Sequence, residues 1–149
     1  MVYVHPLLET QFIKFLEADT KDAALDEMIQ MMSDSPNISD EKSFRKAVFD
    51  REALMSTGLG LGIAIPHVKI KSIKDISIGI GIHKKGLDWD ALDGEAVHIV
   101  VMIAGSDTQH DTYLRTLSKI VLVLKNKKRR EKMIQSSTPE EIVTLFENI

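Results

Sequence analysis

The chain has 149 residues, a formal net charge of −3, no cysteine, and 44% hydrophobic and 28% charged residues. That balance describes an ordinary folded protein and excludes a disordered or fibrous chain, a disulfide framework, a thiolate metal site and general affinity for nucleic acid. One domain over residues 1–149 is expected, and no apolar run approaches the roughly 18 residues of a membrane span, so the expectation is a cytoplasmic protein without direct membrane insertion.

Residues 1–11 carry no strong pattern, and Met1–His5 reads as a short or frayed lead with His5 exposed before Pro6. Phe12–Leu16 reads as a strand. Asp19 or Thr20 then caps a helix whose Leu25, Met28, Ile29 and Met32 share one apolar face. Ser35-Pro36-Asn37 breaks that helix, and a second starts near Ser39 with Asp40 and Glu41 in its first turn, where negative charge suits the helix dipole. Its stripe runs Phe44, Ala47, Val48, Leu54 and Met55, and Arg51 occupies the position that completes the spacing. An arginine there has two uses: it reaches solvent or pairs with a carboxylate such as Glu52, or it serves as a cation that binds phosphate bidentately.

The stretch Ser56-Thr57-Gly58-Leu59-Gly60-Leu61-Gly62 brings together two hydroxyls and three alternating glycines. Such a backbone can adopt positive φ and turn its N–H groups toward an anion, so Ser56, Thr57, Gly58, Gly60 and Gly62 are candidate phosphate binders. Ile63-Ala64-Ile65 reads as a buried strand that Pro66 terminates, which presents His67 at a strand's carboxyl end. An imidazole in that place either hydrogen-bonds a carbonyl or offers a free ring nitrogen as a nucleophile. Beside a nest of donors, the second use points to phosphoryl transfer through a phosphohistidine.

Ile76–His83 alternates isoleucine with small or polar residues, the pattern of a strand with one packed face whose glycines allow something to press closely on the other, and places His83 exposed at its end. Asp93-Gly94 is a turn, and His98–Ala104 suits a central strand on which His98 reads as a strand-edge residue. After the loop Gly105–Gln109 comes a helix with His110 at its entry and Leu114, Leu117, Ile120, Val121 and Leu124 toward the core. Lys125–Lys132 holds six basic residues in eight and reads as a solvated helix end, with docking of an acidic partner as the sharper alternative. Thr138, Pro139 and Glu141 open a last helix with Ile142, Leu145 and Phe146 inward.

The run Arg51-Glu52-x-x-x-Ser56-Thr57-Gly58-x-Gly60-x-Gly62-Ile63-Ala64-Ile65-Pro66-His67 resembles the active-site signature of the enzyme IIA domains of the bacterial phosphoenolpyruvate-dependent phosphotransferase system (PTS), in the fructose/mannitol class that includes the nitrogen-regulatory type. Leu92–His98 and Tyr113–Leu117 continue the likeness in the right order. The resemblance implies a three-layer α/β/α fold with a mixed parallel and antiparallel sheet, His67 as phosphoacceptor, Arg51 beside it, and no metal or cofactor. It implies HPr, or a nitrogen-type homologue, as donor, and an enzyme IIB or a regulated protein as recipient. A free-standing chain fits the nitrogen-regulatory role, with a sugar-transport subunit or a fold-retaining binding module as alternatives. The family's second histidine falls on Tyr113, a departure, while His110 stands one helical turn earlier; either side chain fits the supporting role.

Two other functions fit poorly. The five histidines show no helical i, i+4 pair for a metal hydrolase, and no Lys-Ser/Thr follows the glycines as in a P-loop.

Overall fold

A computed structural model of the chain describes residues 3–149, so Met1 and Val2 of the expected lead lie outside the described residues. In chain order the strands are β1 (Ile13–Phe15), β2 (Gly58–Gly60), β3 (Ile63–Ala64), β4 (His67–Ile70), β5 (Ser77–Leu87) and β6 (Val97–Ser106). The helices are α1 (Lys21–Met32), α2 (Glu41–Leu54), α3 (His110–Leu124), α4 (Lys127–Gln135) and α5 (Pro139–Thr144). The strands form one mixed sheet in the order β1-β5-β6-β3-β2, with β4 also pairing β6. β5 runs antiparallel to β6, whereas β3 and β4 both run parallel to it. The α/β/α expectation therefore holds, and the long apolar run is the central strand.

Alternation along β6 divides the core. Ile99, Val101 and Ile103 face a layer built from Tyr113, Ile120 and Leu124 of α3, Met133 of α4, Ile142 of α5 and Phe146. Val100, Met102 and Ala104 face Leu25, Met28, Ile29 and Met32 of α1 and Phe44 and Val48 of α2. On β5 this sandwich bears out the expectation of one packed face with a close neighbour on the glycines of the other. Ile78, Ile80 and Ile82 pack on one side, and α1 presses on the glycines of the other. A Cβ added at Gly81 would lie 2.6 Å from the Met28 sulfur.

Capping follows the sequence closely. The Thr20 hydroxyl accepts from the Ala23 N–H at 3.2 Å, Asp40 accepts from Ser43 at 3.1 Å, and Thr138 accepts from Glu141 at 3.3 Å.

Other expectations shift. Among the described residues of the N-terminal lead, Val4 is fully buried and its N–H donates to the Ile149 carbonyl at 2.7 Å. His83 is buried, because β5 continues to Leu87 and carries it inside. Its Nδ1 accepts from the Gly86 N–H at 2.9 Å, so the ring proton sits on Nε2 and is donated to the Ala18 carbonyl at 2.8 Å. Leu54 and Met55 are exposed, since α2 ends there and the chain turns extended. On α3, Ile120 and Leu124 are buried and Leu117 and Val121 pack against the core as expected, but Tyr113 and Thr116 are buried as well and Leu114 is outward. Gly105 on β6 makes room for Tyr113, for any Cβ there would run into its ring. The basic run opens a separate helix capped by Asn126. Arg129 and Arg130 donate back to the Val123, Leu124 and Lys125 carbonyls, so their charge serves the end of α3.

Candidate functional site

His67 does not simply follow the end of a strand; it begins β4 at a break in what would otherwise be one strand. β3 pairs with Ile99 and Val100 of β6, and β4 resumes at Ile103. Pro66 makes the interruption, having no N–H to add to the ladder, although its carbonyl still accepts from Ile103 at 2.9 Å. The break leaves the Ile65 carbonyl 2.7 Å from His67 Nδ1. A carbonyl only accepts, so Nδ1 carries the ring proton and Nε2 keeps its lone pair. The carbonyl bond and a free ring nitrogen, posed above as alternatives, therefore coexist in His67.

An open cavity of about 430 Å³ is lined by His67, Val68, Lys69 and Ile70 of β4, by Ala47, Asp50, Arg51 and Leu54 of α2, and by Tyr113 of α3. Arg51 is half-buried and donates through Nη1 to the Met55 carbonyl at 2.9 Å, the last turn of its own helix. It does not pair with Glu52. That carboxylate points inward and is held by the Thr57 N–H at 2.9 Å, the Thr57 hydroxyl at 2.8 Å, the Trp89 indole N–H at 3.0 Å and the Lys21 ammonium at 2.9 Å.

Of the two candidates for the supporting role, Tyr113 stands beside His67, with ring centroids 6.4 Å apart at an interplanar angle of 45°. Burial pushes its phenol up to about 12, slightly offset by the Arg51 charge, so it faces the cavity as a neutral hydroxyl. His110 instead meets the Lys69 ammonium through Nδ1. Sequence reasoning missed Lys69, which the two-residue period of a strand places on the same face as His67.

The hydroxyls and glycines are placed otherwise than expected. The Thr57 hydroxyl is buried against Glu52, and Ser56 donates to the Trp89 carbonyl at 2.9 Å. The glycine run forms the β2–β3 hairpin, with Gly58 opposite Ala64 and Gly60 opposite Ile63, so pairing engages it. Its turn has consecutive positive φ at Gly60, Leu61 and Gly62, but the anion it holds is internal: Leu61 N–H donates to the Asp93 carboxylate at 3.1 Å. None of Ser56, Thr57, Gly58, Gly60 and Gly62 lines the His67 cavity. His98 also lies elsewhere, its Nδ1 3.0 Å from the His83 carbonyl.

Residues 6–149 match the family described as phosphoenolpyruvate-dependent sugar phosphotransferase system, EIIA 2. The chain belongs to this family. As an EIIA domain it is a phosphotransferase carrier component. The mannitol-specific phosphotransferase enzyme IIA component of Staphylococcus aureus (strain Mu50) is 32% identical over 135 residues, covering 89% of this chain and 88% of the relative. The PTS system fructose-specific EIIABC component of Bacillus subtilis (strain 168) is 32% identical over 141 residues; 94% of this EIIA domain is covered, but only 22% of that relative. Among solved structures, nitrogen regulatory protein IIA-Ntr from Neisseria meningitidis superimposes with a TM-score of 0.88 at 25% identity, covering 96% of this chain and 98% of that one.

Proposed function

We propose that this EIIA domain carries its phosphoryl group on His67 Nε2, taking it from a phosphorylated HPr-like donor. The observation that supports this most directly is the Nδ1–H bond to the Ile65 carbonyl, which leaves Nε2 unprotonated in a residue lining an open cavity beside Arg51. In the transfer the donor's P–N bond breaks as Nε2 forms its bond to phosphorus in line, and the donor nitrogen recovers its electron pair. His67 keeps its Nδ1 proton, so the phosphorylated ring is cationic and the Ile65 carbonyl stabilises it. Arg51 supplies charge to the transferring group from the C-terminal turn of α2, and the Tyr113 hydroxyl is a neutral donor beside it.

Intact mass after incubation with phosphoenolpyruvate, enzyme I and HPr tests this. An acid-labile, phosphoryl-sized increase that disappears in His67→Ala is expected; normal labelling of that variant would sink the assignment. The 32% identity to fructose- and mannitol-specific relatives supports an enzyme IIB as recipient, while the 0.88 superposition on the Neisseria protein supports a nitrogen-regulatory role with a regulated protein as recipient. Passage of the label to a sugar-specific IIB separates the two.

A further inference from the structure

We infer that Lys69 is a second phosphoryl-binding cation of this site, acting opposite Arg51 on the group carried by His67. This rests on the reading of His67 as acceptor and adds to it a residue that neither the motif nor Arg51 accounts for. Three observations carry it. His67 and Lys69 are alternate residues of β4, paired with Ile103 and Gly105 of β6, so both side chains leave the same face of the sheet about 7 Å apart at the backbone. Both line the 430 Å³ cavity, and both flank Tyr113: the His67 ring is 6.4 Å from the phenol ring and the Lys69 ammonium lies 5.8 Å over it. Finally, Lys69 is half-buried, yet among the described residues no carboxylate lies within ion-pair distance of it.

Its polar neighbour is His110 Nδ1, a neutral acceptor toward the ammonium. His110 thus steadies Lys69 without cancelling its charge. A half-buried cation with a polar holder, an aromatic face and no counter-ion is suited to an anion that arrives only with the reaction. With α3 presenting the Tyr113 ring to the cavity, the charge opposite Arg51 comes from the strand.

Phosphoryl exchange between this chain and HPr, run to equilibrium, separates charge stabilisation from docking. A residue that only aids encounter changes the forward and reverse rates equally and leaves the distribution unchanged. Lys69→Met is expected to move the equilibrium toward phospho-HPr by about fivefold or more, and Lys69→Arg to restore it to within about twofold. In the 31P spectrum, the titration midpoint of the phosphohistidine should rise in Lys69→Met, since loss of a nearby cation disfavours the dianion. This second reading concerns only folded, labelled molecules. An unshifted equilibrium and an unshifted 31P titration in Lys69→Met would overturn the role of Lys69 alone. Failure of the wild-type chain to acquire any label would overturn the His67 reading, and this one with it.

Discussion

Replacing Glu52 with glutamine tests the strut beneath the site. The side chain is nearly isosteric, so no cavity forms, but a carboxylate held by Thr57, Trp89 and Lys21 becomes a neutral amide with two donors of its own. At least one N–H then faces another donor, and Lys21 loses its counter-ion. Breaking a fully buried pair costs about 3–5 kcal/mol, but the Lys21 side chain is 21% exposed and can regain water, which brings the expected loss to about 2–4 kcal/mol. For a chain of this size that corresponds to a fall in Tm of roughly 6–12 °C. The single tryptophan makes the assay direct, because the Trp89 indole is itself bonded to Glu52 and its emission follows unfolding. Labelling should slow as well. Thr57, positioned by Glu52, accepts from the Ile65 N–H at 3.0 Å, and Ile65 in turn holds His67. A double-mutant cycle with Lys21→Met should show strong coupling, since that change alone strands the buried carboxylate. A Tm within about 2 °C of wild type for Glu52→Gln, or strict additivity with Lys21→Met, would refute this account.

Two further outcomes follow from Tyr113. Its phenol titrates at about 12 in the folded chain, against about 10 when unfolded, so the unfolded chain loses that proton first as pH rises. The stability contribution is therefore fully present below pH 10 and declines toward pH 12 by about 2–3 kcal/mol; Tyr113→Phe should remove this part of the alkaline slope in urea titrations at successive pH values. Gly105→Ala should lower Tm and slow labelling together, because the new methyl group displaces the Tyr113 ring from β6 and from His67; a variant that melts and labels as wild type would contradict that packing.

Local chemistry is what the sequence displayed well. Thr138 was legible as a cap, and Thr20 as one of two candidates with Asp19, because a cap depends on three or four consecutive residues. The central strand was legible from its unbroken apolar run, and His67 from the proline that isolates it. Less legible was anything decided by a partner far along the chain. Glu52 looked like a mate for its neighbour Arg51, yet its partners are Lys21, Thr57 and Trp89, drawn from both sides of it in sequence. The glycine run looked like a cradle for an external anion, but Asp93, more than thirty residues away, already holds the turn amide.

Periodicity and adjacent side chains in the sequence alone marked α1, α2, α5 and the central strand and singled out His67 after Pro66, while the three-layer class came from the family resemblance. Tertiary structure decided the tautomer of His67, the placement of Tyr113 beside it, the inward commitment of Ser56 and Thr57, and the presence of Lys69 in the cavity. Those features depend on which strand faces which helix, and a one-residue rotation of α3 or slip of β4 exchanges the side chains that meet without altering any local pattern.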